Sequence, residues 1–479
     1  DISDVRILLD ILRDMGAEIC QPEPGVVEID STNVTSTHPN PELVRKMRAS
    51  YYLMGSLLSR FGQANVALPG GCNFASRPID QHIKGFIALG ADVEETEDYV
   101  NLRPGAEGLH GNRVSLDVVS VGATMNIIMA ACLLPGQTVI ENAAKEPHIV
   151  DLANFLNTMG ANISGAGTDT VKVRGVERLQ GATYAIIPDQ IEAGTYLAAV
   201  AAAGGNVLVQ NVIPKHMDCI TSKLQEMGAR VINYDDCIRI ISNGRLHYTT
   251  VKTRPYPGFP TDMQAQICVC MSRAGGLSRL TESVYETRFF GYCKELQSMG
   301  ANIQIAGKTA SVIGVEKLYG TTVEAHDLRA GAALVIAGLV AEGVTTVENI
   351  HFIERGYERL VEKLTALADS DDTTLDQLSE IVAYIKSNKS LIDSITTGKV
   401  SVSDIVNNLT STATNKPLSA AQGKALKALI DAVVVPTKVS QLENDSGYLT
   451  EHQDISGLLP RTELDTAIDT ALAEAKALS

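Results

Sequence analysis

The sequence predicts an α/β fold built from repeated units, and three observations predict it. The first is a phrase that recurs five times: a short amphipathic helix, then Gly-Ala, then a strand. It first reads Leu12-Arg13-Asp14-Met15-Gly16-Ala17-Glu18-Ile19, and its glycines fall at 16, 90, 160, 228 and 300, spaced 74, 70, 68 and 72 residues apart. Glycine just past a helix is the usual left-handed cap, so the phrase has a physical reason to recur. The second is a strongly apolar helix of small residues about midway between caps, as at Ser120-Val121-Gly122-Ala123-Thr124. A helix that is apolar all round is a buried one. The third is a set of alternating or β-branched segments, such as Asp169-Thr170-Val171-Lys172-Val173 and Thr345-Thr346-Val347-Glu348. Each unit therefore reads β-α-β-α-β-β, with one helix buried and one partly exposed.

Along the chain, the buried helices are expected to start near Arg48, Ser120, Glu192, Thr261 and Asp327. One period ahead of Arg48 falls before the first residue, so the first unit is expected to show only its second half. A sixth cap is due near 368, where Lys363-Leu364-Thr365-Ala366-Leu367-Ala368-Asp369 supplies the helix without its Gly-Ala ending. Between the units runs Leu68-Pro69-Gly70-Gly71-Cys72-Asn73-Phe74-Ala75-Ser76-Arg77-Pro78, which proline and two glycines mark as a loop. It carries the Cys72 thiol and, five residues on, the Arg77 guanidinium. Fixed positive charge near an exposed thiol favours the thiolate, which suits an acid or a nucleophile. A small, buried, apolar Cys72 is the alternative.

Composition narrows the classes of function. A chain of 479 residues with 45% hydrophobic and 20% charged residues has room for two or three globular domains. The net charge of −16, without any Lys/Arg run, argues against a nucleic acid partner and requires a local arginine cluster for an anionic substrate. The eight cysteines include no C-x-x-C pair, so neither a metal site nor a disulfide framework is expected, and reduced thiols point to the cytoplasm. No segment has the roughly 18 consecutive apolar residues of a membrane span.

Six such units, the Pro-Gly-Gly-Cys loop and the phrase Phe259-Pro260-Thr261-Asp262-Met263-Gln264-Ala265-Gln266 resemble one family closely, over about residues 1–368. It is the UDP-N-acetylglucosamine 1-carboxyvinyltransferases, the enolpyruvyl transferases of peptidoglycan synthesis. Val44-Arg45-Lys46-Met47-Arg48-Ala49-Ser50 and Arg355-Gly356-Tyr357-Glu358-Arg359 also match. The resemblance implies an inside-out α/β barrel of two domains with substrates between them, here 1–187 and 188–369. Its substrates would be phosphoenolpyruvate and UDP-N-acetylglucosamine, with no cofactor. By match of motif, Cys72 gives a proton to the methylene carbon, Asp262 takes one from the hydroxyl, and Arg355 joins them as a catalytic residue. Arg48, Arg77, Arg288 and Arg329 match the family's other arginines, with Asp327 opening the helix that carries Arg329. The nucleotide-sugar contacts carry over to Arg77, Pro78, Ile79, Asp80 and Gln81, to Val118, Val119, Ser120, Val121 and Gly122, and to Asp262 and Val284. Gln190 stands where the family has arginine, Thr287 where it has asparagine, and its Lys-Asn pair at the first buried helix is missing.

After Asp369 the composition changes. Residues 370–479 hold four of the 39 glycines, no Cys or Phe, and one arginine, Arg461. Short helix-like stretches such as 375–385 lie between Thr/Asn/Ser breaks, which suggests a helical stalk that associates with copies of itself. This part resembles phage tail-fibre-like structural proteins, with a flexible appendage as the alternative. Two functions stand side by side: the enolpyruvyl transferase, and a non-catalytic fusion or structural protein that keeps a damaged transferase body.

Overall fold

The computed structural model describes residues 2–68, 78–285 and 287–368, the last four without their side chains. The Cys72 loop and the tail from 369 onward lie outside the described residues. Within them are twelve α-helices: α1 (Ser3–Asp14), α2 (Pro41–Val44), α3 (Tyr52–Phe61), α4 (Asp80–Ala88), α5 (Val121–Ala131), α6 (Pro147–Thr158), α7 (Gln190–Ala203), α8 (Asp218–Glu226), α9 (Gln264–Ser272), α10 (Tyr292–Ser298), α11 (Leu328–Leu339) and α12 (Leu360–Ala368).

The repeat is real in three dimensions. Gly16, Gly90, Gly160, Gly228 and Gly300 follow α1, α4, α6, α8 and α10, and all five take positive φ, between 84° and 104°. One complete unit runs Arg113–Ser115, α5, Gln137–Glu141, α6, Asn162–Ser164, Thr170–Arg174, the order expected. Its strands form a four-stranded sheet with one parallel pair and two antiparallel pairs. The unit around α9 and α10 repeats that order and those directions with Thr250–Lys252, Leu277–Thr281, Thr309–Ile313 and Asn302–Ala306.

Helices sit inside and strands outside. All nine residues of α9 are buried, as are eleven of the fourteen in α7, because Ala, Gly, Thr and Cys leave room for close neighbours. The strands bury alternate residues, Val171 and Val173 in one and Ala310 and Val312 in its counterpart. Two large cores result, one between Ile11 and Val173 and one between Ile191 and Leu364, with a small third cluster of Ala332, Ile353 and Tyr357. Residues 175–189 cross between them without helix or strand. In the second lobe α7, α9 and α11 touch one another pairwise; in the first, α3 packs on α5. That packing requires Gly55, where a Cβ would come within 2.3 Å of the Asn126 carbonyl oxygen. Three starts differ from expectation: α3 and α9 begin at Tyr52 and Gln264, after tighter 3-10 turns from Arg48 and Thr261, and the helix expected at Glu192 begins at Gln190, because the Asp189 carboxylate caps it, accepting from the Ile191 N–H at 2.7 Å.

Candidate active site

The inner helices place charged side chains at their N-terminal ends, where backbone N–H groups and the helix dipole favour anions. In the second lobe Pro260, with its fixed φ, leads into the turn Thr261–Met263 that opens α9 and carries Asp262. Arg288, its side chain 3% exposed, donates from Nη1 to Asp262 Oδ1 at 3.0 Å and to Thr261 Oγ1 at 3.1 Å. Arg329, in the first turn of α11, donates from Nε to Asp262 Oδ2 at 3.2 Å. Asp327 caps that helix, accepting from the N–H groups of Arg329 at 2.8 Å and Ala330 at 3.0 Å.

One carboxylate thus sits between two guanidiniums, each of which needs a countercharge where it is buried. Arg329 also lies over the Tyr357 ring at 5.4 Å. Burial works against its charge, but Tyr357, Asp262 and Asp189 outweigh burial and hold it more firmly protonated than usual. Its Nη1 is buried with no hydrogen-bond partner among the described residues, which leaves a donor for an anion.

In the first lobe Gln81, in one of the stretches expected to hold the nucleotide sugar, bonds to Asp117, which immediately precedes the other. Its Oε1 accepts from the Asp117 N–H at 2.9 Å, and its Nε2 donates to the carboxylates of Asp117 and Asp80. Residues 78–81 therefore adjoin 117–122. Ser120 caps α5, accepting from the Ala123 N–H at 3.3 Å, and Val118 and Val119 beside it are exposed. Gly122 is tightly placed: a Cβ would stand 2.7 Å from Tyr51 Oη and 3.0 Å from the His82 ring. Behind them Arg48 lies over Tyr51, whose ring meets His82 edge-on at 4.8 Å. His82 Nδ1 is 3.0 Å from Asn126 Nδ2, a donor, so its proton sits on Nε2. Burial, and secondarily Arg48, push the His82 pKa down to about 4, so it is neutral at pH 7.

A cavity of about 470 Å³ opens between the lobes, with Met125, His148 and Asp151 on one side and Asp262 and Arg329 on the other. Burial lowers the His148 pKa, against the opposing pull of Glu146, Asp189, Asp262 and Asp151. Glu146 bridges the lobes by accepting from the Tyr256 N–H at 3.3 Å. Arg355 is engaged by the first helix: its Nε and Nη2 donate to the two Asp4 oxygens at 2.8 and 3.0 Å, while the Ser3 N–H donates to the Glu354 carbonyl.

Of the residues the sequence singled out, Asp262, Arg288, Asp327 and Arg329 meet in one network. Gln81 bonds to Asp117, next to the 118–122 stretch, and Val284 stands 38% exposed near the Arg288 turn. Cys72 and Arg77 fall outside the described residues. Sequence reasoning missed Asp189 and His148. Pro188-Asp189 ahead of an apolar run is a helix-start signature and was readable; nothing local marks His148.

Comparison with known proteins now bears on this site. Residues 1–364 match the family EPSP synthase (3-phosphoshikimate 1-carboxyvinyltransferase), and residues 405–434 match phage tail fiber repeats. A UDP-N-acetylglucosamine 1-carboxyvinyltransferase of Clostridium botulinum is 54% identical over 367 residues, which span 77% of this chain and 87% of the relative. A similarly named protein of Caldanaerobacter subterraneus is 52% identical over the same shares. Among solved structures, the enolpyruvyl transferase NikO from Streptomyces tendae superposes with a TM-score of 0.69 at 25% identity, covering 77% of this chain and 87% of that one.

Proposed function

This chain belongs to the EPSP synthase (3-phosphoshikimate 1-carboxyvinyltransferase) family, and from that premise we propose that it transfers the enolpyruvyl group of phosphoenolpyruvate to the 3′-hydroxyl of UDP-N-acetylglucosamine. Phosphate is released, and the reaction is the first committed step of peptidoglycan synthesis, in the cytoplasm where nucleotide sugars are made. The acceptor follows from relatives about half identical to this chain that carry its name. The single structural observation that carries the reading is Asp262 held between Arg288 and Arg329 beside a cavity.

The chemistry assigns each group a task. The Cys72 thiol protonates the methylene carbon of phosphoenolpyruvate while the sugar oxygen bonds to the adjacent carbon. Asp262 accepts the proton that this hydroxyl loses. A tetrahedral ketal results, and its collapse breaks the carbon–oxygen bond to phosphate and returns a proton from the methyl group. Arg48, Arg77, Arg288 and Arg329 offer planar forks to the phosphate and carboxylate, and Arg355, whose fork holds Asp4 here, joins them by exchanging that partner for the anion. Arg288 and Arg329 hold the Asp262 carboxylate beside the cavity, where it acts as the base. Residues 77–81, 118–122, Asp262 and Val284 hold the nucleotide sugar.

A phosphate-release assay tests this. Release should require both substrates, shikimate 3-phosphate should not replace the nucleotide sugar, and Asp262→Asn should slow turnover by about 10²–10⁴-fold. Release with shikimate 3-phosphate instead, or none with UDP-N-acetylglucosamine at saturation, sinks the proposal.

A further inference from the structure

Behind the Asp262 network lies a carboxylate that this reaction scheme does not use. Glu282 follows the strand Leu277–Thr281 and is wholly buried. Five donors converge on it. Its Oε1 accepts from Thr253 Oγ1 at 2.8 Å and from the backbone N–H groups of Val284 at 2.7 Å and Tyr285 at 2.9 Å. Its Oε2 accepts from Thr261 Oγ1 at 3.0 Å and Gln264 Nε2 at 2.9 Å. Every partner is a donor, so the arrangement fits the ionised group, and no guanidinium or ammonium is among these five.

Burying a charge on neutral donors alone is costly, and an apolar side chain at the strand end would avoid the cost. What the carboxylate does instead is join three separate segments at one point: 253, the turn that carries Asp262, and the residues leading to Arg288. Thr261 completes a relay. Its hydroxyl spends its proton on Glu282 and so presents a lone pair to Arg288 Nη1 at 3.1 Å, and the same nitrogen donates to Asp262 Oδ1 at 3.0 Å. Glu282 thereby fixes which way the Thr261 hydroxyl points, and with it where Arg288 meets Asp262.

We propose that Glu282 is a positioning residue: through Thr261 it sets the Arg288–Asp262 pair in the geometry that the transfer requires. This rests on the reading of Asp262 as the residue that accepts the hydroxyl proton. Val284 hangs from the same carboxylate by its backbone N–H, so the segment assigned to the nucleotide sugar is set from the same point.

Two variants of the full chain test it. Glu282→Gln keeps the shape but turns one acceptor into a donor; Thr261→Val keeps the shape and every charge but cuts the relay. Glu282→Gln should lower kcat about ten- to a hundredfold, the scale of a misplaced reacting group, with KM for each substrate changing less than about threefold. Thr261→Val should do the same more weakly. The second readout needs no turnover: the carboxyl titration of Asp262 followed by ¹³C NMR, with Arg288 and Arg329 paired to it and His148 and Asp189 across the same cavity. Loss of the Arg288 pairing raises its midpoint in both variants, whereas simple removal of the Glu282 charge would lower it. A midpoint that is unchanged or lower overturns the proposal, as does a fall in kcat with an unmoved midpoint, which marks a merely structural role. Should Glu282→Gln fail to fold, Thr261→Val decides by the same criteria. Should the unaltered chain release no phosphate, the functional reading fails, and the titration still decides whether Glu282 positions Asp262.

Discussion

Each lobe ties its inner helices together with one buried amide, and the two amides are satisfied differently. In the first lobe Asn126 of α5 accepts from the Gly55 N–H of α3 at 2.8 Å, donates to the Tyr51 carbonyl at 2.9 Å and contacts His82. In the second, Gln266 of α9 donates to Thr195 of α7 at 3.1 Å and to Tyr357 at 3.4 Å, and its own oxygen has no partner among the described residues. One cross-link uses every polar atom of its amide but includes an imidazole that must stay neutral. The other leaves an acceptor unused and includes no imidazole or carboxylate. The same architectural task has been solved once at the cost of pH sensitivity and once at the cost of a missing hydrogen bond.

The comparison can be broken most directly by deleting the amides. Asn126→Ala strands the Gly55 N–H in a dry contact and opens a gap between α3 and α5, so a loss of about 3 kcal/mol is expected. Gln266→Ala removes weaker and fewer bonds and should cost about half that. Urea unfolding of the two variants checks the order, and equal losses would mean that satisfaction of the amide is not what matters. The pH dependence sharpens the contrast. His82 has a folded pKa near 4, below its unfolded value near 6.5, so its stabilising contribution is fully present above pH 6.5 and is lost as pH falls through 4. The integrated loss is about 3 kcal/mol. His82→Gln should remove that part of the acid sensitivity, seen as a smaller stability difference between pH 7 and pH 4. The smallest effect concerns the join between lobes. Asp4→Asn weakens a half-buried ion pair with Arg355 and should cost about 1–2 kcal/mol, and the two lobes should then melt less cooperatively in calorimetry. A single unshifted transition would show that the pair does not couple them.

What could be read from the sequence was what depends on neighbours in the chain. The caps at Gly16, Gly90, Gly160, Gly228 and Gly300 were legible because positive φ is a local demand that glycine meets and other residues resist. The inner helices were legible because total burial forces an unbroken run of small apolar residues. Glu282 was not, because its partners at 253, 261 and 264 lie on other elements and nothing near it in sequence differs from an ordinary strand end. Asp262, Arg288 and Arg329 were identified by motif, but their common network is a property of three helix and turn ends meeting in space. The residue pairs most distant in sequence, such as Asp4 with Arg355, leave no local trace at all.

That last pair also has a consequence for how the protein is made. Asp4 and Arg355 stand 351 positions apart, so their contact closes the longest loop among the contacts described. At ribosomal speeds of about 5–20 residues per second, the first helix waits roughly twenty to seventy seconds for its partner to emerge. Until then the α1 face that meets the 350–357 turn stays open to other encounters. Among the described helices α1 is thus made first and is among the last to reach its final contacts, so its face stays uncovered longest during synthesis.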